Sequence, residues 1–272
     1  MSVRGCGTVV GVECAKLLSQ INVRILLIAC VASPFMFAAA MRVQSNVPAD
    51  TLFGRGIAES GFALPLVVLG FAALWIFPAV ASLVGGDLFA AEDRYGTWPT
   101  VLTRSRSRTE LFAGKVVTAF AFSALAVTAL AVSSVAAGMI VIGSQPLINL
   151  SGLLLSPARA LTDVSLAWAS VLPPTLGFTA LAVLASVATR SSAAGIGLPV
   201  VAGLTMQLLA LVDGPEALRR VLITSGFVAW HGLLTDPVSW GPVVHGAIVT
   251  GLYTVVCLGI AYLRLQRRDI GG

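Results

Sequence analysis

Charge is what this sequence has least of. Among 272 residues there are 17 Lys and Arg and 12 Asp and Glu, 11% of the chain, where soluble domains carry about 25%. So few charges cannot cover a water-facing surface. An ordinary soluble fold is excluded, and lipid is left as the solvent for much of the chain. Histidine is nearly absent: His231 and His245 are the only two, with no Glu between them. The grouped ligands of a membrane metalloprotease are therefore missing. The four cysteines, Cys6, Cys14, Cys30 and Cys257, form no CxxC pair and read as small buried apolar residues. No G-x-x-x-x-G-K-[ST] loop occurs, so the chain lacks that means of holding ATP. No basic start followed by a short apolar block suggests a cleavable signal peptide. The net charge of +5 does not point to nucleic acid, because in a membrane protein the placement of Lys and Arg matters more than their sum.

What is present is apolar, 57% of the residues. A spanning helix needs about 20 apolar residues. The charge-free stretches predict an all-α polytopic membrane protein, one transmembrane domain over 1–272 with no room for a separate globular domain. Its six helices are expected at about 25–41, 61–84, 116–142, 164–188, 193–212 and 243–263. "GSQP" at Gly143–Pro146 ends the third. Arg24 and Arg42 flank the short first span and can reach the two interfaces. With both termini on the side of the link between spans two and three, that side holds Arg4, Lys16, Arg24, Arg94, Arg104, Arg106, Arg108, Lys115, Arg190, Arg264, Arg267 and Arg268. The other side holds Arg42, Arg55, Arg159, Arg219 and Arg220. That asymmetry places the termini and the link in the cytoplasm, as for a protein of a bacterial plasma membrane.

Residues 8–23 predict an amphipathic helix lying in the cytoplasmic interface. Val10, Cys14, Leu17, Leu18 and Ile21 share one face, and Glu13, Lys16, Gln20 and Arg24 the other, with Lys16 and Arg24 turned to anionic lipid. Two outer segments are apolar yet too short to span: Leu147–Ala158 and Val221–Thr235. The reading for about 214–234 is a re-entrant or interfacial helical hairpin before the last span, with Trp230 and Trp240 at headgroup level.

The charges gather in one island. Gly86–Lys115 holds Asp87, Glu92, Asp93, Arg94, Arg104, Arg106, Arg108, Glu110 and Lys115. The second span is expected to run on through "LFAAEDR" and stop at Gly96. Thr97 would cap a short helix with Trp98, Val101 and Leu102 on one side. "SRTE", Ser107–Glu110, is a capping box that starts the next helix. A short aromatic-aliphatic helix rimmed by charge is suited to docking in a groove of a partner.

The order Glu92, Gly96, Thr97, Leu102, Arg108, Gly114, Lys115 resembles the motif of the ABC-2 type permease family. Six spans, a leading amphipathic helix carrying Glu13 and a re-entrant segment before the last span agree with it. The Pro that often follows the Leu-rich step in that family is absent from "TRSRSR". The resemblance implies the membrane half of an ATP-driven exporter: two permease subunits, as homodimer or heterodimer, with two cytoplasmic ATPase subunits that carry ATP and Mg. The island, 86–115, would be the coupling elbow. Its contacts to the ATPase would come from Glu92, Arg94, Gly96, Thr97, Trp98, Val101, Leu102, Arg104 and Arg108. No catalytic or metal-binding residues are implied for this chain.

The rival reading is a secondary transporter or channel not coupled to ATP. Such proteins place ionisable groups at mid-membrane, and the centres of the six expected spans hold none. Gln207 is the most polar mid-span group. Either it makes an interhelical hydrogen bond or it lines a substrate path with Phe71 and Trp75, neighbours of Phe77 in an aromatic cluster. The partial match of "DGPEALRR" to membrane phosphatidyltransferases lacks their second aspartate. An uncharged membrane interior favours lipophilic or amphiphilic cargo, such as a drug, antibiotic or lipid-like molecule.

Overall fold

The computed structural model describes residues 3–43, 52–98, 107–211 and 216–267, and they are almost entirely helical. Six helices are long and apolar enough to cross a membrane: Ile21–Val43, Ala63–Arg94, Arg108–Ile142, Pro157–Thr189, Ser192–Ala210 and Gly241–Gln266. Each overlaps an expected span. The observed helices are longer where water-side turns extend them, as at Arg108, where the capping box lies ahead of the apolar stretch. In that box Ser107 Oγ accepts from the Glu110 amide at 3.1 Å, and Glu110 accepts from the Ser107 amide at 3.4 Å. Ser107→Ala is expected to cost about 1 kcal/mol, read as faster amide exchange in the first turn of the third span.

Spans two and four form the centre. Their most apolar windows are 56% and 61% buried, against 17–22% for spans one, five and six, whose outer faces are left for lipid. Small residues bring the central helices together. A Cβ on Gly86 would lie 2.5 Å from the Gly195 carbonyl carbon, and one on Gly61 would lie 2.2 Å from the Gly143 oxygen. Glycine is the residue that permits such backbone contact. Hydroxyls add to it: Ser186 Oγ accepts from the amides of Phe89 and Ala90, and Ser123 bonds Thr179 at 2.9 Å.

The second span is interrupted at its middle by a π-turn, Ala72–Ile76, directly before Pro78. Proline has no N–H to give to the carbonyl four residues back, which is that of Leu74. The Gln207 amide, reaching over from span five, donates to the Leu74 oxygen. The π-turn also splits the expected aromatic cluster. Phe77 is buried and meets Trp168 edge-on at 6.0 Å, whereas Phe71 and Trp75 are more than half exposed.

The fourth span breaks at Val171, between Pro157–Ser170 and Leu172–Thr189, ahead of Pro173 and Pro174. Its link to span five turns on Arg190, at φ 56°.

Leu147–Ala158 is not a plain interfacial run. Leu147–Ile148 and Leu154–Leu155 pair as a small antiparallel hairpin, closed by Asn149, whose side chain accepts from the amides of Ser151 and Leu153. The expected hairpin helix over 214–234 is realised as a short helix, Glu216–Arg220, and two 3-10 segments, Ile223–Phe227 and Ala229–Leu234. Residues 212–215 lie outside the described residues. Trp230 is 3% exposed and stacks on Phe53, so it belongs to the core rather than to the headgroup level. Its neighbours there, Phe227, Leu233 and Leu234, are buried with it. Trp240 is exposed.

The N-terminal helix spans Val3–Ser19 and packs along the third span. Its buried stripe is Val9, Glu13 and Leu17, while Leu18 and Ile21 are exposed. The expected apolar face is therefore corrected: one turn-spaced stripe faces inward and carries an acid.

Candidate functional site: the link between spans two and three

The reason for that inward acid is Lys115. It lies in the second turn of the third span and is wholly buried. Its ammonium carries three hydrogens and finds three acceptors, each at 3.0 Å: the Leu88 carbonyl, Glu92 Oε1 and Glu13 Oε1. Glu92 Oε1 also accepts from Lys16 at 2.6 Å, and Glu92 Oε2 from the Thr97 hydroxyl. Charges alternate along Glu13, Lys115, Glu92 and Lys16 and sum to zero. A buried ion is tolerated only when paired and hydrogen-bonded throughout, and this one is. Lys16 is half-buried, which alone would lower its pKa. The hydrogen bond to Glu92 and the charges of Glu13, Glu92 and Asp87 more than offset this and hold it above the usual lysine value. Lys16 thus turns to protein, not to anionic lipid. Arg24, expected beside it at the lipid, bonds the Leu18 carbonyl at the end of the N-terminal helix.

The helix of the second span ends within two residues of the stop expected at Gly96. The second span ends at Arg94, and Gly96 takes φ 61°, a left-handed turn that glycine adopts freely. Gly96 and Thr97 amides return to the carbonyls of Asp93 and Glu92, satisfying the helix end. Trp98 follows. Its indole N–H donates to Asp93 at 3.1 Å, and its ring, 4% exposed, packs in a cluster with Leu88, Phe89, Leu111 and Phe112. Val101, Leu102 and Arg104 lie outside the described residues, so of the expected stripe of Trp98, Val101 and Leu102 only Trp98 is described.

Beyond the gap, Arg108 donates to the carbonyls of Leu265 and Gln266 at 3.4 and 2.9 Å, and Thr109 meets Tyr262 at 3.0 Å. These bonds tie the elbow's far side to the end of the last span. On the near side Arg94 reaches Asp87 at 3.5 Å and stands 4.8 Å over the Tyr95 ring.

The nine expected contact residues therefore divide. Arg94 and Gly96 are exposed at the elbow, and Thr97 is partly buried with its hydroxyl on Glu92. Glu92 and Trp98 were expected on a surface offered to a partner; the structure packs both inside, Glu92 on two lysines and Trp98 on apolar neighbours. Arg108 is committed to the sixth span's carbonyls. Gln207 is committed to Leu74, so of the speculative path residues only Phe71 and Trp75 present free faces. What sequence reasoning missed is the partnership of Glu13 and Lys16 with the elbow. One signal was available: a lysine inside "AGKVV" must find a carboxylate if its helix is buried there. Among the described residues the arrangement is a set of ion pairs and hydrogen bonds. It is a clamp, joining the N-terminal helix, the end of span two and the start of span three into one body.

Residues 9–205 match the family described as ABC-2 family transporter protein. The chain belongs to that family. No curated protein matches it. The match takes in most of the N-terminal helix, the link between spans two and three, and spans one to four with most of span five; the two 3-10 segments Ile223–Phe227 and Ala229–Leu234 and the last span lie beyond it. The chain is thus a multi-pass membrane transport protein of the ABC-2 family, whose members are transport subunits rather than enzymes, and that membership implies an ABC ATPase as partner.

Proposed function

We propose that this chain is the permease subunit of an exporter, driven by a separate cytoplasmic ATPase that docks on the elbow 86–115. Two permeases, as homodimer or heterodimer, would pair with two ATPases holding ATP and Mg. The termini would lie in the cytoplasm of a bacterial cell, and the cargo would be lipophilic or amphiphilic. The observation that carries this reading is the buried ion chain from Glu13 to Lys16. Force applied at the elbow would pass without slack into the N-terminal helix and the third span, because all three share one ammonium. Transport requires that the docked elbow be favoured differently in the two states of the bundle.

The test is co-purification with a candidate ABC ATPase. Val101→Ala with Leu102→Ala removes the expected apolar stripe. Trp98 is a poor choice, since its ring supports the chain's own fold. The double change is expected to weaken the complex about tenfold or more, the scale of losing an interface anchor, and to abolish stimulated ATP hydrolysis. Unchanged complex formation would sink the docking claim. Transport in vesicles that followed an ion gradient and ignored ATP would hand the function to the secondary-transporter reading.

A further inference from the structure

Two of the cavities among the described residues are lined almost wholly by apolar side chains, and their chemistry differs. The larger, about 510 Å³, lies between the third span and the first half of the fourth. Its hydroxyls, Thr128 and Ser165, already donate to carbonyls of their own helices, and its one unpartnered polar group, the buried Trp168 indole N–H, is a donor that would repel a cation. The second, about 320 Å³, lies between the outer half of the second span and the 3-10 segments before the last span. Phe53, Phe71, Phe227, Trp230 and His231 line it, and no Lys or Arg is among its described lining residues. A volume of this size, mostly apolar with one convergent polar group, is that of a small-molecule site.

The walls are built rather than incidental. Phe53 stacks on Trp230 at 6.3 Å, and Trp230 holds the His231 ring at 4.1 Å. These contacts fix three rings before any ligand arrives. The cavity's helical wall runs on into the π-turn, with Phe71 just before the turn and Ala73 and Leu74 within it among the lining residues. π-turns inside helices recur at functional sites. Burial pushes the His231 imidazole down from its ordinary value, which favours the neutral ring. In that form it accepts a hydrogen bond and does not repel a positive charge. Aromatic faces attract cations, most strongly where water is excluded, and flat ring systems stack on them.

We propose that this cavity binds a planar aromatic cation. As a station for outgoing cargo it rests on the export reading above; the binding itself does not, and is measured without ATP or a partner.

The experiment titrates ethidium into the purified full chain in detergent and follows its fluorescence anisotropy. Wild type is expected to bind saturably. Gly70→Leu fills the cavity from its helical wall. A Cβ there meets nothing within 4 Å, and leucine is the better helix former, so the variant folds and loses saturable binding. Phe71→Ala, at a half-exposed position, weakens Kd about fivefold, as removal of one ring pairing does. Leu161→Ala in the larger groove leaves Kd unchanged. Absence of saturable binding by wild type overturns the proposal, as does wild-type affinity in Gly70→Leu. Weakening by Leu161→Ala alone assigns the ligand to the other groove and overturns it equally. None of these outcomes bears on whether an ATPase docks at the elbow, so the two readings fail separately.

Discussion

Lys115→Met is expected to destabilise the chain by about 3–5 kcal/mol, the scale of leaving one side of a buried ion pair uncompensated. The variant strips two carboxylates, Glu13 and Glu92, of the ammonium between them and leaves the Leu88 carbonyl without its donor. Glu92 keeps Lys16 and Thr97; Glu13 loses the only salt-bridge partner described for it. Lys16→Met should cost much less, because that side chain is 43% exposed and water replaces part of what is lost. Adding Glu13→Gln and Glu92→Gln to Lys115→Met should recover a substantial part of the loss, since removing both partners is far milder than removing one. The readout is thermal unfolding in detergent, followed by size-exclusion chromatography. A Lys115→Met protein as stable as wild type would show that the network is not closed as described.

Gly86→Ala is the second large effect. Overpacking costs about 1–3 kcal/mol, occasionally more, and this case belongs at the upper end. The atoms met by the new Cβ are Gly195 carbon and oxygen and Ile196 nitrogen, at 2.5–2.6 Å. Backbone cannot rotate aside as a side chain does. Gly195→Ala should behave alike, its Cβ meeting the Gly86 oxygen at 2.3 Å, and the pair together should be no better than either. Gly70→Ala, in open space on the same span, should instead stabilise by about 0.5–1 kcal/mol. Equal melting temperatures for Gly86→Ala and Gly70→Ala would contradict the backbone contact between spans two and five.

The spans were legible because a bilayer imposes a length, and runs such as Ser60–Gly86 satisfy it with no reference to neighbours. The capping box at Ser107–Glu110 was legible because both partners lie within one turn. Gly96 announced the end of span two for the same local reason. The charge network was not legible. Lys16 and Glu92 are 76 positions apart, and Glu92 and Lys115 are 23 apart; only packing of the N-terminal helix on the third span brings them together. Periodicity also misled in a specific way. It assigned Val10 and Cys14 to the apolar face and Glu13 to the polar one, since a pattern ranks residues by polarity and cannot see a waiting counter-charge. Trp98 failed similarly: an aromatic stripe beside charges reads as an interface, but the chain's own cluster at Phe89 and Phe112 takes it. Trp230 was assigned to the headgroups by residue type, while Phe53 supplies a ring for it to stack on.

The hydrogen bond from Gln207 to Leu74 binds two distant positions into a shared inheritance. A lineage that lost Gln207 while keeping Pro78 would leave a bare carbonyl facing hydrocarbon. One that replaced Pro78 with a residue bearing an N–H would restore the ladder and release position 207 to drift. Descendants of this chain should therefore change the two sites in order, proline first.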